Sequence, residues 1–205
     1  MAGAQNEESL KHEMELPERL SATMLFLFEA VFRPHQIGAI LPSGRPLARA
    51  MARWLPGDPD AFALELGPGT GSVTEALLQQ GLREDRLIAI EKSPKMADLL
   101  RNRFPRAKII TGDAFQLDKL LRRHVDRGVK IGTVFCSLPL RNFRAAMADN
   151  LAIKIRSLLP DGGRLIQYTY RIASTPPRAS HHFERIASKV VWINVPPARV
   201  SVFEK

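Results

Sequence analysis

Four polar side chains stand where apolar segments end, and a glycine-rich run follows the first of them. Glu65 precedes Leu66-Gly67-Pro68-Gly69-Thr70-Gly71, Glu91 closes the next apolar segment, Asp113 the third, within Gly112-Asp113-Ala114, and Ser137 the fourth. If these segments are parallel strands, the four groups share the carboxyl edge of one sheet, where open α/β sheets bind ligands. Gly67 permits a tight turn, Gly69 lets backbone approach a ligand, and Gly71 allows the next helix to pack closely. The spacing is G-x-G-x-G, one residue short of the dinucleotide fingerprint. A carboxylate two positions before the first glycine would repel a pyrophosphate but attract an ammonium or a sulfonium. Glu91 comes 20 residues after Gly71, where a carboxylate can accept from both hydroxyls of a ribose, and Asp113 is placed to accept from an adenine amino group. Each acid alone could equally cap a helix or a turn. Together with the loop they ask for a positively charged adenosine derivative.

The elements that must position these groups are legible as alternation. Apolar Phe62–Leu66 leads into a helix over 70–80, apolar Leu87–Ile90 into a helix over Pro94–Arg103, and Ala107–Ile110 follows, a parallel βαβαβ unit. A helix after Asp113, a strand Ile131–Ser137, a helix Phe143–Leu159 and a strand Arg164–Tyr168 extend it to five strands. Lys189–Val195 and Arg199–Phe203 are separated by too few residues for a parallel crossover, so they form an antiparallel hairpin. Ahead of the loop, a helix after Pro42-Ser43-Gly44 carries Leu47, Ala48, Met51 and Trp54 inward and Arg45, Arg49 and Arg53 outward.

At 205 residues the chain suits one domain with a sizeable core. Its net charge of +9 implies an anionic partner without choosing among nucleic acid, membrane and small molecule. Residues 1–33 hold Lys11, Arg19 and Arg33 against six glutamates, so the positive charge belongs to the rest of the chain. A single cysteine, Cys136, excludes an internal disulfide and fits a reducing, cytoplasmic compartment. No apolar run reaches the roughly 18 to 20 residues that span a bilayer, no signal peptide is expected, and no metal site is expected.

The loop, Glu65, Glu91 and Asp113 resemble the class I, Rossmann-like methyltransferases over about residues 60–204. That resemblance implies an α/β fold with a seven-stranded, mostly parallel sheet, helices on both faces and an antiparallel strand inserted by the C-terminal hairpin. It also implies S-adenosyl-L-methionine as methyl donor, leaving as S-adenosyl-L-homocysteine. Glu65 and Gly67, Gly69 and Gly71 would hold the methionine part, Glu91 the ribose and Asp113 the adenine. Ile40, Ser43, Lys92, Gly112, Ala114 and Ser137 complete the expected cofactor set.

A narrower resemblance lies outside the loop, in Phe32-Arg33-Pro34, Gly38-Ala39-Ile40-Leu41-Pro42-Ser43, Ser137-Leu138-Pro139-Leu140, Gln167-Tyr168-Thr169-Tyr170 and Asn194-Val195-Pro196-Pro197-Ala198-Arg199. These look like the bacterial phospholipid N-methyltransferases, which convert phosphatidylethanolamine toward phosphatidylcholine. One departure is Pro42-Ser43-Gly44, where that family often has a second serine. The resemblance implies a peripheral enzyme at the inner face of the cytoplasmic membrane, monomeric in solution, with nucleic acid an unlikely partner. The alternative is an rRNA adenine N6-dimethyltransferase-like enzyme, which shares the fold and suits a basic body. Such enzymes present Asn or Asp before Leu/Ile-Pro-Phe/Tyr, and here Ser137 and Leu140 stand instead, removing the ring that would stack on a flipped base.

The lipid reading gives residues 1–57 a role as a helical membrane and substrate-cover segment, ahead of a cofactor-binding domain at 58–205. A helix from Pro17 to Phe32 would lay Phe28 and Phe32 in the headgroup boundary, unless that face packs on the body. Tyr168 and Tyr170 are candidates for holding a methylated ammonium on their ring faces. Tyr170 and His35 are the candidate catalytic groups, His35 as proton acceptor, while Leu138 and Arg141 lie on the substrate side.

Overall fold

The computed structural model describes residues 44–55, 58, 60–170, 172, 181–194 and 196–205. All belong to the compact unit Ile40–Lys205. Helix α1 (Arg45–Ala52) opens at Gly44, with Pro46 in its first turn, and buries Leu47, Ala48, Met51 and Ala52. Arg45, Arg49 and Arg53 are exposed, as the spacing predicts. This helix is part of the Ile40–Lys205 unit, whereas the sequence grouped it with residues 1–57.

Seven strands follow: β1 (Phe62–Leu66), β2 (Leu87–Glu91), β3 (Lys108–Thr111), β4 (Ile131–Cys136), β5 (Arg164–Thr169), β6 (Glu184–Val191) and β7 (Ala198–Glu204). They form one sheet in the order β3-β2-β1-β4-β5-β7-β6. The first five are parallel, and β7 runs antiparallel between β5 and β6. The expected insertion is therefore present. Central strands are covered on both faces, which is why β2 reads as the apolar run Leu-Ile-Ala-Ile before its terminal glutamate.

Helices α2 (Ser72–Gln79), α3 (Pro94–Arg103), α4 (Leu117–His124) and α5 (Ala145–Leu158) complete the crossovers. Ser93 caps α3 by accepting from the Met96 amide, and Pro94 occupies its first turn, where no amide partner is required. On one face, Leu47, Met51, Val73 and Leu77 of α1 and α2 pack on Ala63, Phe135, Ile166, Val200 and Val202. On the other, Leu117 of α4 and Leu151 and Ile155 of α5 pack on Leu64, Leu66, Val134, Cys136 and Phe203. Cys136 is fully buried, and burial pushes its thiol up to about 12.

The hairpin departs from its expected bounds. β6 starts at Glu184 and ends at Val191, so Trp192–Asn194, read as strand, lie in the turn. The edge strand is mostly exposed and carries a register irregularity between Arg185 and Ala187. Its alternation is therefore weak, while the apolar Trp192 and Ile193 mimic a strand that has already ended.

Candidate functional site

The glycine loop is assembled by backbone bonds that continue the sheet past its strand ends. The Gly67 amide donates to Ile90 O at 2.9 Å, Ser137 N to Leu66 O at 2.9 Å, and Gly112 N to Glu91 O at 2.9 Å. These bonds bring all four sequence-predicted strand ends onto one edge. Gly67, Gly69 and Gly71 have φ of 71°, 56° and 84°, the left-handed region that glycine enters at little cost. Their surroundings differ. A Cβ on Gly67 would lie 2.6 Å from Leu138 Cδ2, and one on Gly71 would lie 2.9 Å from Leu100 and Phe104, whereas one on Gly69 would meet nothing within 4 Å. Gly67 and Gly71 are packing glycines; the space over Gly69 is open to a ligand.

Glu65 lies beneath this loop, fully buried. Thr74 Oγ1, in the first turn of α2, donates to Glu65 Oε2 at 2.6 Å, and Oε1 has no partner among the described residues. Burial pushes its carboxyl up to about 7, against the Thr74 hydrogen bond and with a smaller upward push from Glu91. A buried carboxyl in this condition is half-poised to ionise, and a cation beside Oε1 would complete the step. Thr74 had not been singled out from the sequence. Its only signal is a polar residue on the inward face of a helix, between Val73 and Ala76.

Glu91 clamps the loop. Its Oε2 accepts from the Gly69 amide at 3.0 Å and its Oε1 from the Ser93 amide at 2.9 Å. Each oxygen keeps a second lone pair for a ligand hydroxyl. Asp113 accepts from the Phe115 amide at 3.0 Å, while the exposed Lys92 Nζ lies 2.9 Å from its other oxygen. Partial burial would raise the Asp113 carboxyl; the Lys92 ammonium and the Phe115 amide outweigh it and hold the group below its ordinary value. Ala114, buried, follows in a short turn of 3-10 helix.

The residues expected on the acceptor side lie at the ends of β4 and β5. Ser137 is buried, its Oγ without a partner among the described residues, and Leu138 covers Gly67. The backbone of Arg141 lies in a 3-10 turn, Leu140–Asn142. Tyr168 and Tyr170 lie on the same face, edge to face, with ring centroids 5.5 Å apart. Burial raises the Tyr170 hydroxyl above its ordinary range, against hydrogen bonds with Tyr168 and Asn194. Tyr170 is therefore protonated at neutral pH and offers a ring and a hydroxyl, not a base. Asn194 is 2% exposed and its amide donates to Pro196 O at 2.6 Å; it sits in a quoted segment but had been given no role. Phe28, Phe32, His35, Ile40 and Ser43 lie outside the described residues. Among the described residues, no group of three or more His, Cys, Asp and Glu is gathered to hold a metal, and no helix is long and apolar enough to cross a membrane.

The residues fit S-adenosylmethionine. An orphaned buried carboxylate oxygen, open space over Gly69 and two further acids along the edge match a ligand that bears an ammonium and a sulfonium at one end and a ribose at the other. Comparisons with known proteins agree. A methyltransferase-domain family model matches residues 63–163. The chain is 29% identical over 183 residues to an ornithine lipid N-methyltransferase of Singulisphaera acidiphila, covering 84% of this chain and 92% of that protein. It is 40% identical over 76 residues to ribosomal RNA small subunit methyltransferase A of a Chelativorans species, but over only 35% of this chain and 27% of that one. The N-methyltransferase NodS from Bradyrhizobium japonicum, solved with S-adenosyl-L-homocysteine, shares the fold with a TM-score of 0.64 at 14% identity, over 89% of this chain and 97% of that one. The fold is that of the class I methyltransferases, the cofactor is S-adenosylmethionine, and the chain is an S-adenosylmethionine-dependent methyltransferase.

Proposed function

We propose that this methyltransferase acts on the amine of a membrane lipid, with phosphatidylethanolamine and its mono- and dimethyl forms as acceptors on the way to phosphatidylcholine. The observation that carries the lipid-amine reading is the match to an ornithine lipid N-methyltransferase over 84% of this chain and 92% of that one; phosphatidylethanolamine as the acceptor rests on the resemblance of the segments around Ser137–Leu140. The ribosomal RNA methyltransferase likeness is confined to about a quarter of that relative. The acceptor side is consistent with an alkylated amine: two nearly perpendicular tyrosine rings, Tyr168 and Tyr170, stand at the carboxyl end of β5, and ring faces attract ammonium groups by roughly 0.5 to 2 kcal/mol.

When bound, S-adenosylmethionine supplies a methyl group made electrophilic by its sulfonium. The chain's own contribution is placement and exclusion of water. Glu65 and the Gly69 backbone would hold the donor end; Glu91 accepts from the Gly69 amide and Leu138 covers Gly67 beside β4. The acceptor nitrogen must lose a proton before its lone pair is free to react. His35 is proposed as the proton acceptor, because Tyr170 is already protonated at neutral pH.

Incubation with labelled S-adenosylmethionine and phosphatidylethanolamine vesicles tests the reading. Label in mono-, di- and trimethylated lipid is expected, with products separated by methylation state. Transfer to ribosomal RNA and never to lipid would replace this reading with the alternative.

A further inference from the structure

We propose that the β6–β7 turn, through Trp192 and Ile193, is a membrane-inserting element that seats the acceptor edge of the sheet on an anionic phospholipid surface. The choice of partner rests on the lipid reading above. Trp192 is 67% exposed and Ile193 78% exposed, two large apolar side chains side by side at a turn. Burial of a tryptophan at the apolar–polar boundary of a bilayer suits its amphipathic ring.

Three observations commit the turn to that surface. First, it lies at the site. Arg199 pairs with Thr169 and Val191 with Ala198, so the antiparallel course of β7 returns the turn to the carboxyl edge of β5, beside Tyr168 and Tyr170. Secondly, it is pinned there. The buried Asn194, next to Ile193, hydrogen-bonds Tyr170 and donates to Pro196 O, which ties the base of the tip to the tyrosine pair. Thirdly, its surroundings carry one sign of charge. Gly44, at the head of α1, lies against Asn194, and α1 packs on β6 and β7 through Leu47, Met51, Val191 and Val200. At the turn end of these elements the charged residues among those described are Arg45, Lys189 and Arg199, whereas Arg185 lies at the far end of the hairpin with Glu184 and Glu204. An apolar tip whose charged neighbours among the described residues are Arg45, Lys189 and Arg199 complements an anionic bilayer, where basic side chains favour the surface and the tip enters it.

The chain has two tryptophans, so Trp54→Phe leaves Trp192 as the sole emitter. Titration with phosphatidylethanolamine–phosphatidylglycerol vesicles is expected to shift its emission to the blue, and brominated acyl chains are expected to quench it. Trp192→Ala with Ile193→Ala, both exposed and so tolerated by the fold, is expected to lower vesicle affinity about tenfold or more while cofactor binding is unchanged. Trp192 emission that stays unchanged while the protein sediments with vesicles would overturn the inference, as would failure of the wild-type chain to sediment. A blue shift that depends on protein concentration without vesicles would assign the tip to a second copy, and one produced by RNA alone to nucleic acid; either overturns it. Insertion without methyl transfer to lipid sinks the acceptor reading and leaves the tip standing. Transfer to lipid with Trp192 still in water does the reverse.

Discussion

The donor half of the sheet, β1 to β3, and the acceptor half, β4, β5 and β7, treat their polar groups differently. In the donor half nearly every carboxylate oxygen at the edge is engaged: Glu91 on two amides, Asp113 on an amide and Lys92, Glu65 on Thr74. In the acceptor half, Ser137, Gln167 and Ser201 bury side-chain oxygens that have no partner among the described residues. A donor shared by many enzymes can be met by a prebuilt cradle, because its shape does not vary. An acceptor site is shaped by substrate, and here its fixed contacts are rings and apolar surface.

Breaking the packing of the donor half should have the largest effect. Gly71→Ala places a methyl 2.9 Å from Leu100 and Phe104 at a φ of 84°, and is expected to cost about 3 kcal/mol or more, a fall in Tm of about 10 °C by calorimetry. Gly69→Ala meets nothing and should cost only about 1 kcal/mol of strain, so its loss should fall on cofactor affinity instead. Equal loss of stability in the two variants would erase the distinction between packing and ligand-facing glycines.

Next in size is Glu91→Ala, which strands two amides and removes the expected ribose acceptor. Cofactor affinity should fall about 100-fold or more by isothermal titration, with vesicle binding unchanged. The donor half should also show a pH signature. Glu65 is raised from 4.5 to about 7 in the folded chain, so the folded state holds a proton that the unfolded state has released between those values. Stability without cofactor should therefore fall as pH rises from about 4.5 to 7, by about 3 kcal/mol at most. A bound cation favours the carboxylate, so cofactor affinity should rise with pH up to about 7 and level off above it. Glu65→Gln is expected to flatten both profiles.

The smallest effect belongs to the acceptor half. Tyr170→Phe keeps the ring and removes the hydroxyl bonded to Tyr168 and Asn194. The KM for lipid should rise a few-fold, roughly 1 kcal/mol, with cofactor affinity unchanged. A parallel loss of cofactor affinity would show that the two halves are coupled through the edge they share.

The same division marks what was legible. Strand ends, glycine roles and the antiparallel hairpin could be read because each depends on local pattern: buried parallel strands are continuous apolar runs, a tight loop needs glycine, and a short connection forbids a parallel crossover; the insertion of β7 beside β5 was implied by the family resemblance alone. Thr74 was invisible because its meaning depends on Glu65, nine residues earlier and on another element. That Tyr168 and Tyr170 share a face depends on how the chain continues past Thr169, which alternation alone leaves open. The β6 bounds were misplaced because Trp192 and Ile193 look like core when read in sequence and prove to be surface.

Cys136 gives the molecule an internal clock. Its thiol, at the end of β4 where that strand pairs with β1, is fully buried and pushed up to about 12, so it is neither accessible nor ionised while the sheet is closed. Alkylation of the one cysteine in the chain therefore reports opening of the fold, and any ligand that binds only the closed form should slow labelling in proportion to its occupancy. The natural sequence can in this way report its affinity for the methyl donor, without turnover and without an engineered label site.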